Sequence, residues 1–344
     1  MQSPWLLHLD QVGARFSEAT PGALSFGDER AEVVSAARET VMVPLTHLGL
    51  IRTRGEDAAS FLHNLFSSDV KTLQVHHAQR GSFNTPKGRM LASLVIWRET
   101  SDYILQLSAD IAPAIQRKLS MYVLRSKAVL SDASADIAMI GLAGPNVAHL
   151  LDHLGLKLPP ETMNVSGEQI RVIRLDGARV MLATTHAACP ELWRKLEAAG
   201  AKPAGTAAWH WLDIQQGIPL ITAATQDEFV AQMLNFELIG GVNFKKGCYP
   251  GQEIVARTQY LGKLKKRMYR ARIDGDAPAP GTDLYSPDFG EQSIGKVLMS
   301  APAPESGSEL LAVIQTSSRE GDDVHLGSLA GERLSFGALP YTVS

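Results

Sequence analysis

The sequence predicts an α+β fold: two mixed lobes followed by a β-rich tail that reads as a small antiparallel sandwich or barrel. Three observations predict it. Strand-like runs and amphipathic helices follow one another irregularly through the first part of the chain, with no repeating strand–helix–strand unit. Hairpin signals stand at Pro86-Lys87-Gly88 and at Asp176-Gly177, a turn pair able to take positive φ. From about residue 264 only short alternating runs remain, separated by Gly, Pro, Asp and Ser, as in a small sandwich or barrel.

Taken in order, residues 1–37 read as a partly irregular lead-in with a Ser/Gly/Pro-containing patch at 17–27. Val41–Leu45 and Leu48–Thr53 read as strands. Gly55-Glu56-Asp57 opens a helix whose Phe61, Leu62, Leu65 and Phe66 share one face. Ser82–Asn84 and Arg89–Arg98 form a hairpin, and Tyr103–Leu107 is a further strand. Asp110 is placed to cap a helix with apolar face Ile111, Ile115, Leu119 and Val123. A second lobe begins near Ala128. It holds a strand at Ala138–Leu142, a helix after Gly144-Pro145-Asn146, and a hairpin of Ile170–Leu175 with Arg179–Ala183. Pro190–Ala199 is helical and closes at Gly200. Thr206 is placed to cap a helix ending at Gly217.

The chain has 344 residues, which suggests about two or three domains. With 45% hydrophobic and 20% charged residues, the balance is that of an ordinary globular protein. No run of apolar residues is long enough for a transmembrane helix, and the N-terminus lacks a secretory signal pattern. Two cysteines, Cys189 and Cys248, make no disulfide framework. The absence of a CxxC pair argues against a structural zinc or self-contained iron–sulfur site. A reduced, cytoplasmic protein is expected, with no membrane partner.

The net charge of −3 hides an asymmetry. Residues 245–272 hold nine Lys/Arg (Lys245, Lys246, Arg257, Lys263, Lys265, Lys266, Arg267, Arg270 and Arg272) against Glu253 alone. Residues 273–344 hold eleven acids against three bases. The basic window could attract an anionic ligand or nucleic acid, or could pair with the acidic tail that follows it.

The most informative stretch is Asn243-Phe244-Lys245-Lys246-Gly247-Cys248-Tyr249-Pro250-Gly251-Gln252-Glu253. Gly247 and Gly251 permit backbone shapes closed to other residues, including close approach to a ligand. Pro250 stiffens the turn, and Glu253-Ile254-Val255 begins a helix or strand. Lys245, Lys246 and a nearby helix N-terminus favour the thiolate of Cys248. Gln252 and Glu253 supply donor and acceptor groups able to read a polar heterocycle. A tight loop around an inert, buried Cys is the alternative. Cys189, before Pro190, reads as structural. His63, His76 and His77 lack metal-ligand spacing and read as surface or loop residues.

The run KKGCYPGQEIVAR resembles the signature of the YgfZ family, folate-binding relatives of the T-protein (aminomethyltransferase) of the glycine cleavage system. Phe229–Asn235 with Gly240–Phe244, Phe61–Asn64 with Ser68–Val70, and Pro86–Met90 through Leu94 are similar to other parts of that family. The resemblance covers roughly residues 38–344. It implies a T-protein-like ring of two α+β lobes and a C-terminal β-barrel. The boundaries are then a lead-in at 1–37, a first folate-binding lobe at 38–127, a second at 128–263 carrying the KGCYPGQE motif, and the barrel at 264–344. It implies tetrahydrofolate or a derivative as ligand, and an accessory role in assembling or repairing iron–sulfur clusters of client proteins, including tRNA-modifying enzymes. Cys248 is then the key thiol. A transient iron–sulfur cluster belongs to that implication, and direct nucleic-acid binding does not. Trp209, Leu48, Gln215, Lys246, Tyr249, Gln252, Glu253 and Arg257 are the implied folate contacts.

Departures from the family's pattern bear on the chemistry. A T-protein places paired acids after its Gly-Gly turn for proton handling. The matching positions here hold Ala92 and Ser93, neither an acid nor a base near neutral pH. Its pterin-binding Glu is matched by Gln215, which loses the charge-assisted bond. Of the two Trp positions lining the YgfZ cleft, one matches Trp209, an aromatic able to stack on a ring or to fill a core, and the other matches Leu48. Trp211, two positions on, faces elsewhere. Weaker folate binding and no glycine cleavage are expected. A folate-dependent one-carbon transferase or demethylase is the runner-up, and an RNA-binding module using the basic stripe is a third reading.

Overall fold

The computed structural model describes residues 3–261 and 264–343. The chain forms two compact units, each assembled from separated segments: Met1–Phe61, Thr72–Gln79 and Val95–Trp209 in one, Leu62–Lys71, Arg80–Leu94 and His210–Ser344 in the other. No helix among the described residues is long and apolar enough to cross a membrane.

In the first unit a six-stranded sheet runs in the order Val165–Ser166, Arg171–Arg174, Arg179–Thr185, Ile137–Ala143, Val41–Pro44, Lys202–Pro203. Every pairing is antiparallel except the last. The helices Val147–His153 and Cys189–Ala198 cover it, with Leu150, Leu151, Leu192, Trp193 and Leu196 packed on Met42, Ile140, Leu142, Val180 and Leu182. Cys189 lies in this core, where burial pushes its thiol pKa up. That is the structural role expected of it.

The lead-in is more ordered than its composition predicts. Ser3 accepts from the Leu6 N–H and caps the helix Pro4–Gln11. That helix buries Trp5 and Leu9 in the same core, with the Trp5 ring centroid 5.5 Å from that of Trp193. A second helix, Glu29–Arg38, begins at Asp28, whose side chain accepts from the Ala31 N–H. The buried Glu32 carboxylate accepts from Phe26 N–H at 2.6 Å and Gly205 N–H at 2.7 Å. Thr206 begins the helix Thr206–Gln215, yet its hydroxyl accepts from Leu24 N–H of the lead-in. The patch at 17–27 is thus held by long-range bonds that no local pattern reveals.

Two further local expectations change. Ile111, not Asp110, stands at the N-cap position of the helix Ala112–Met121, and its side chain makes no cap bond. The Asp176-Gly177 turn has no positive φ at Gly177. There the Asp176 carboxylate accepts from Ala178 N–H and from Arg179, closing the turn through the side chain.

A five-stranded sheet has the order Ala78–Asn84, Met90–Arg98, Asp102–Ser108, Leu48–Arg54, Val129–Asp132. Its first two strands are the predicted hairpin around Pro86-Lys87-Gly88. In the second unit the C-terminal segment forms one antiparallel sheet in the order His325–Leu326, Asp283–Tyr285, Gly295–Pro302, Ser308–Gln315, Lys266–Ile273, Ser335–Gly337. Alternate residues Ala271, Ile273, Leu310, Ala312 and Ile314 fill its core. The predicted barrel is therefore seen as a sheet with two short edge strands, of 2 and 3 residues. Short edges limit the unpaired backbone offered to another chain.

The basic window does not form one continuous face. Lys246 and Arg267 are buried, and Lys263 lies outside the described residues. Arg267 donates to Gln232 O, Asn235 Oδ1 and the buried Glu237 carboxylate. Arg270 donates to Gln215 and lies 4.0 Å from Glu309 of the acidic tail. Part of the charge asymmetry is thus internal pairing.

Because Trp5 is a core residue, Trp5→Ala is expected to destabilise the protein by about 3–5 kcal/mol. Urea unfolding at equilibrium measures it. A loss below about 0.5 kcal/mol would mean that the lead-in helix contributes nothing to the core.

Candidate functional site

The segment around Cys248 is held in place by the residues on either side of it. Ser67 is one anchor: its hydroxyl donates to Gly241 O at 2.6 Å, its carbonyl accepts from Asn243 N–H at 2.9 Å, and its oxygen accepts from Ser82 N–H at 2.8 Å. Asn243 Oδ1 then accepts from Lys245 N–H, which turns the chain. After the loop, Gln252 N–H bonds Tyr249 O and the helix Gln252–Leu261 begins.

Lys246 is the central fastening. It is only 8% exposed, and its Nζ donates to Phe66 O at 2.5 Å and to His63 O. These carbonyls lie at and just beyond the end of the helix Ala58–His63, where intrahelical donors have run out. The ammonium also lies 4.8 Å from the centroid of the Tyr249 ring, a cation–π contact. Burial pushes the amine down to about 8, with Lys71 adding to the shift and Asp69 and Cys248 opposing it. Burial likewise pushes the Tyr249 phenol up to about 12.

Gly251 is required by packing rather than by a visible ligand. It has φ +79°, and a Cβ there would lie 2.4 Å from the Cα of Gly88, itself at φ +75°. The two glycines let the hairpin turn and the cysteine loop meet backbone to backbone. Gly247 has no such crowding: a Cβ there would meet only His63 Nε2, at 3.7 Å. Between them Cys248 is exposed, as are Gly247, Glu253 and Arg257. Gln252 is half-buried, and its Nε2 donates weakly to Lys246 O at 3.4 Å.

His63 departs from the sequence reading. It is 8% exposed, not a surface residue, and its Nδ1 lies 2.9 Å from Asp69 Oδ1. Burial and Lys246 push its pKa down, and Asp69 pulls it up. No sequence spacing joins residues 63 and 69 to residue 248, so this grouping was legible only from the fold.

The remaining candidates are distributed. Gln215 is engaged at both ends of its amide: Nε2 donates to Glu309 Oε2 and Oε1 accepts from Arg270, each at 2.6 Å. Trp211 Nε1 also points to Glu309. Trp209 and Leu48 belong to the first unit. Trp209 is 2% exposed; its ring fills the space that a Cβ on Gly141 would occupy, with the Arg179 guanidinium 5.5 Å above it. Leu48 lines a cavity of about 280 Å³ with Trp5, Phe16, Leu45 and Met139. Ala92 is buried, and the Ser93 hydroxyl accepts from Ile221 N–H at 3.0 Å. Neither position offers an acid.

One residue was missed altogether. Asn84 is 2% exposed, and neither its amide nitrogen nor its oxygen has a hydrogen-bond partner among the described residues. It follows Phe83, which bridges to Phe66, and precedes Thr85, whose carbonyl lies 2.6 Å from a Gly251 Cβ position. A buried amide left unmatched costs stability unless a ligand or water completes it.

Lys246→Met removes the donor to two carbonyls and is expected to cost about 1–3 kcal/mol. The wild-type amine titrates at about 8, below its ordinary 10.5. Between those values the unfolded chain binds more protons, so wild type gains stability over the variant as pH rises through that window. Urea unfolding of both proteins at about pH 7.5 and about pH 10 tests cost and sign together.

Comparison with known proteins agrees with this architecture. The GCVT N-terminal domain matches residues 14–246. The tRNA-modifying protein YgfZ of Colwellia psychrerythraea is 27% identical over 89% of this chain and 94% of its own length. That of Hamiltonella defensa is 30% identical over 71% of this chain and 74% of its own. Among solved structures, the glycine cleavage system aminomethyltransferase T from Bartonella henselae has a TM-score of 0.81 at 18% identity, covering 98% of this chain and 96% of that one, a likeness of fold. With the pinned KGCYPGQE loop and a T-protein-like fold in view, the chain belongs to the YgfZ family, within the proteins that carry the GCVT N-terminal domain.

Proposed function

We propose that this protein is a folate-binding accessory factor for tRNA modification, serving iron–sulfur client enzymes through the thiol of Cys248. The observation that carries it is the pairing of an exposed Cys248 with neighbours that are buried and fastened, Lys246 and Tyr249. A thiol held in the open by a rigid frame suits reaction with a partner far better than packing.

The unmatched amide of Asn84 favours a polar heterocycle nearby, since a pterin edge offers alternating donors and acceptors. Asn84, Gln252 and Glu253 would hold it, with Lys246 and Tyr249 setting the frame around them and Arg257 adding positive charge for the acidic end of the molecule. Gln215, already bonded to Arg270 and Glu309, would have to exchange one of those partners to read the ring. A bound tetrahydrofolate supplies ring nitrogens that can carry a one-carbon unit.

The residues do not fit a resident iron–sulfur cluster. Among the described residues no three His, Cys, Asp or Glu side chains converge as metal ligands. Iron–sulfur chemistry in this reading belongs to the clients. The runner-up, a one-carbon transferase, lacks its acid: Ala92 is apolar and Ser93 is committed to Ile221.

Two measurements test the reading. In cells whose only copy is Cys248→Ala, tRNA modification is expected to fall to the level of a deletion strain, while the purified variant unfolds at the same urea concentration. Retained modification would remove the thiol from the function. By calorimetric titration with tetrahydrofolate, Asn84→Ala is expected to bind about tenfold more weakly, the loss of about one hydrogen bond. Equal affinity would remove Asn84 from the site, and no binding by wild type would remove folate.

A further inference from the structure

We propose that the edge strand Val129–Asp132, with the turn before it, is where two copies of this chain meet, their edges paired antiparallel about a two-fold axis and Met121, Leu124 and Val129 buried between them.

Other sheet edges of the chain are short or bonded. Both edge strands of the six-stranded sheet are two residues long, and one contains Pro203. The edge strand Ala78–Asn84 is bonded beyond its own sheet: Ala78 N–H donates to Met163 O at 2.6 Å, Ser67 N–H donates to Ser82 O at 3.0 Å, and Phe83 bridges to Phe66. Val129–Asp132 closes the other side of that five-stranded sheet. Among the described residues it pairs with Leu48–Arg54 and with no other strand. Its outward N–H and C=O groups are left to water or to another strand.

The residues leading into this edge are apolar and in the open. Leu124 is 88% exposed, Met121 69% and Val129 61%. Such side chains scattered singly need no explanation, but these lie along one stretch of chain, and the helix that ends in Met121 packs on the strand. The backbone adds to the case. Ser126 N–H closes a turn on Val123 O at 2.7 Å, and Leu124 in that turn has φ +45°, a region that favours Gly or Asn. This leucine is held in a sparsely populated conformation and left in water. Burial against a second surface offsets both costs.

Charge identifies that surface as a second copy. Exposed Arg125 and Lys127 precede the strand, and exposed Asp132 and Asp136 end and follow it. Arg125 has no ion pair among the described residues, Lys127 meets Glu56 in solvent, and Asp136 lies 3.8 Å from Arg52. Exposed pairs of this kind hold little energy. Antiparallel pairing about a two-fold axis sets the basic end of each edge beside the acidic end of the other, twice. A partner of a single sign, such as RNA, would match the basic end and be repelled by the acidic one.

Sedimentation velocity of the full chain over about 1–100 µM tests this. A four-residue edge with three apolar contacts is a small interface, so wild type is expected to form a dimer that dissociates at roughly 10 µM. Raising the salt should weaken it. Leu124→Asp should be monomeric throughout. Arg125→Glu and Asp136→Arg should each raise the dissociation constant at least about tenfold, because each sets like charges together in its own homodimer. Mixed in equal amounts, these two variants should recover wild-type association, since both pairs of ends are then opposite in sign. All three substitutions are at exposed positions and should leave the urea midpoint unchanged. Should Leu124→Asp fail to fold, the mixing experiment carries the test alone. A wild type that stays monomeric up to about 100 µM overturns the proposal. The surface then belongs to RNA if added tRNA shifts wild type and not Arg125→Glu, and to a different protein if it does not. A dimer that Leu124→Asp leaves intact, or charge variants that do not recover on mixing, overturns it equally.

Discussion

A buried ammonium organises the cysteine segment. Lys246 inserts its charge among carbonyls that the helix Ala58–His63 and the turn after it leave without donors, and the Tyr249 ring covers it from the loop side. Burying a charge is costly unless its hydrogen bonds are met, so the position tolerates little drift. Burial pushes the amine down to about 8, the direction that cost dictates. In exchange, the residue two before the exposed thiol and the residue one after it are fixed by a charged contact.

The rest of the loop follows from this fastening. With Lys246 and Tyr249 turned inward, the residues between them must turn outward, and Gly247 and Cys248 do. Pro250 and Gly251 then bring the chain against the Gly88 turn, where only two glycines at positive φ can pass so closely. The helix Gln252–Leu261 starts from that contact. The two thiols of the chain illustrate the contrast. Cys189 begins a helix with an apolar face and sinks into the core; Cys248 sits among charged and glycine neighbours and stays in the open.

Much of this was legible in the residues. The strands, the hairpin at Pro86–Gly88 and the helices Val147–His153 and Cys189–Ala198 follow from period and turn chemistry, which act over a few residues. The loop's importance followed from its unusual packing of Gly, Lys, Pro and Cys. What could not be read were partners set by the fold. Glu32 meeting Gly205, Thr206 meeting Leu24, and Asp69 meeting His63 beside Gly247 are each pairings of ordinary residues, and nothing in their local sequence distinguishes them. Asn84 escaped notice for the opposite reason: it is remarkable only for the bonds it lacks, and a missing bond has no sequence signal. The basic window was left open between ligand attraction and internal pairing for a similar reason, since charge counts do not say which lysine is buried.

The departures at Ala92 and Ser93 and the fastening of Cys248 are best understood together. Proton transfer in the T-protein chemistry that the resemblance implies needs a carboxylate beside the folate nitrogen. Here that position is apolar, and its neighbour's hydroxyl is occupied in holding Ile221. Restoring an acid at either site would place a charge in a buried environment, which is costly unless that charge is paired. Elsewhere in this unit the Lys246 amine is fastened two residues before an exposed sulfur, and the His63 and Asp69 side chains lie 2.9 Å apart. The same unit thus carries an exposed sulfur in a fastened loop and no acid at residues 92 and 93.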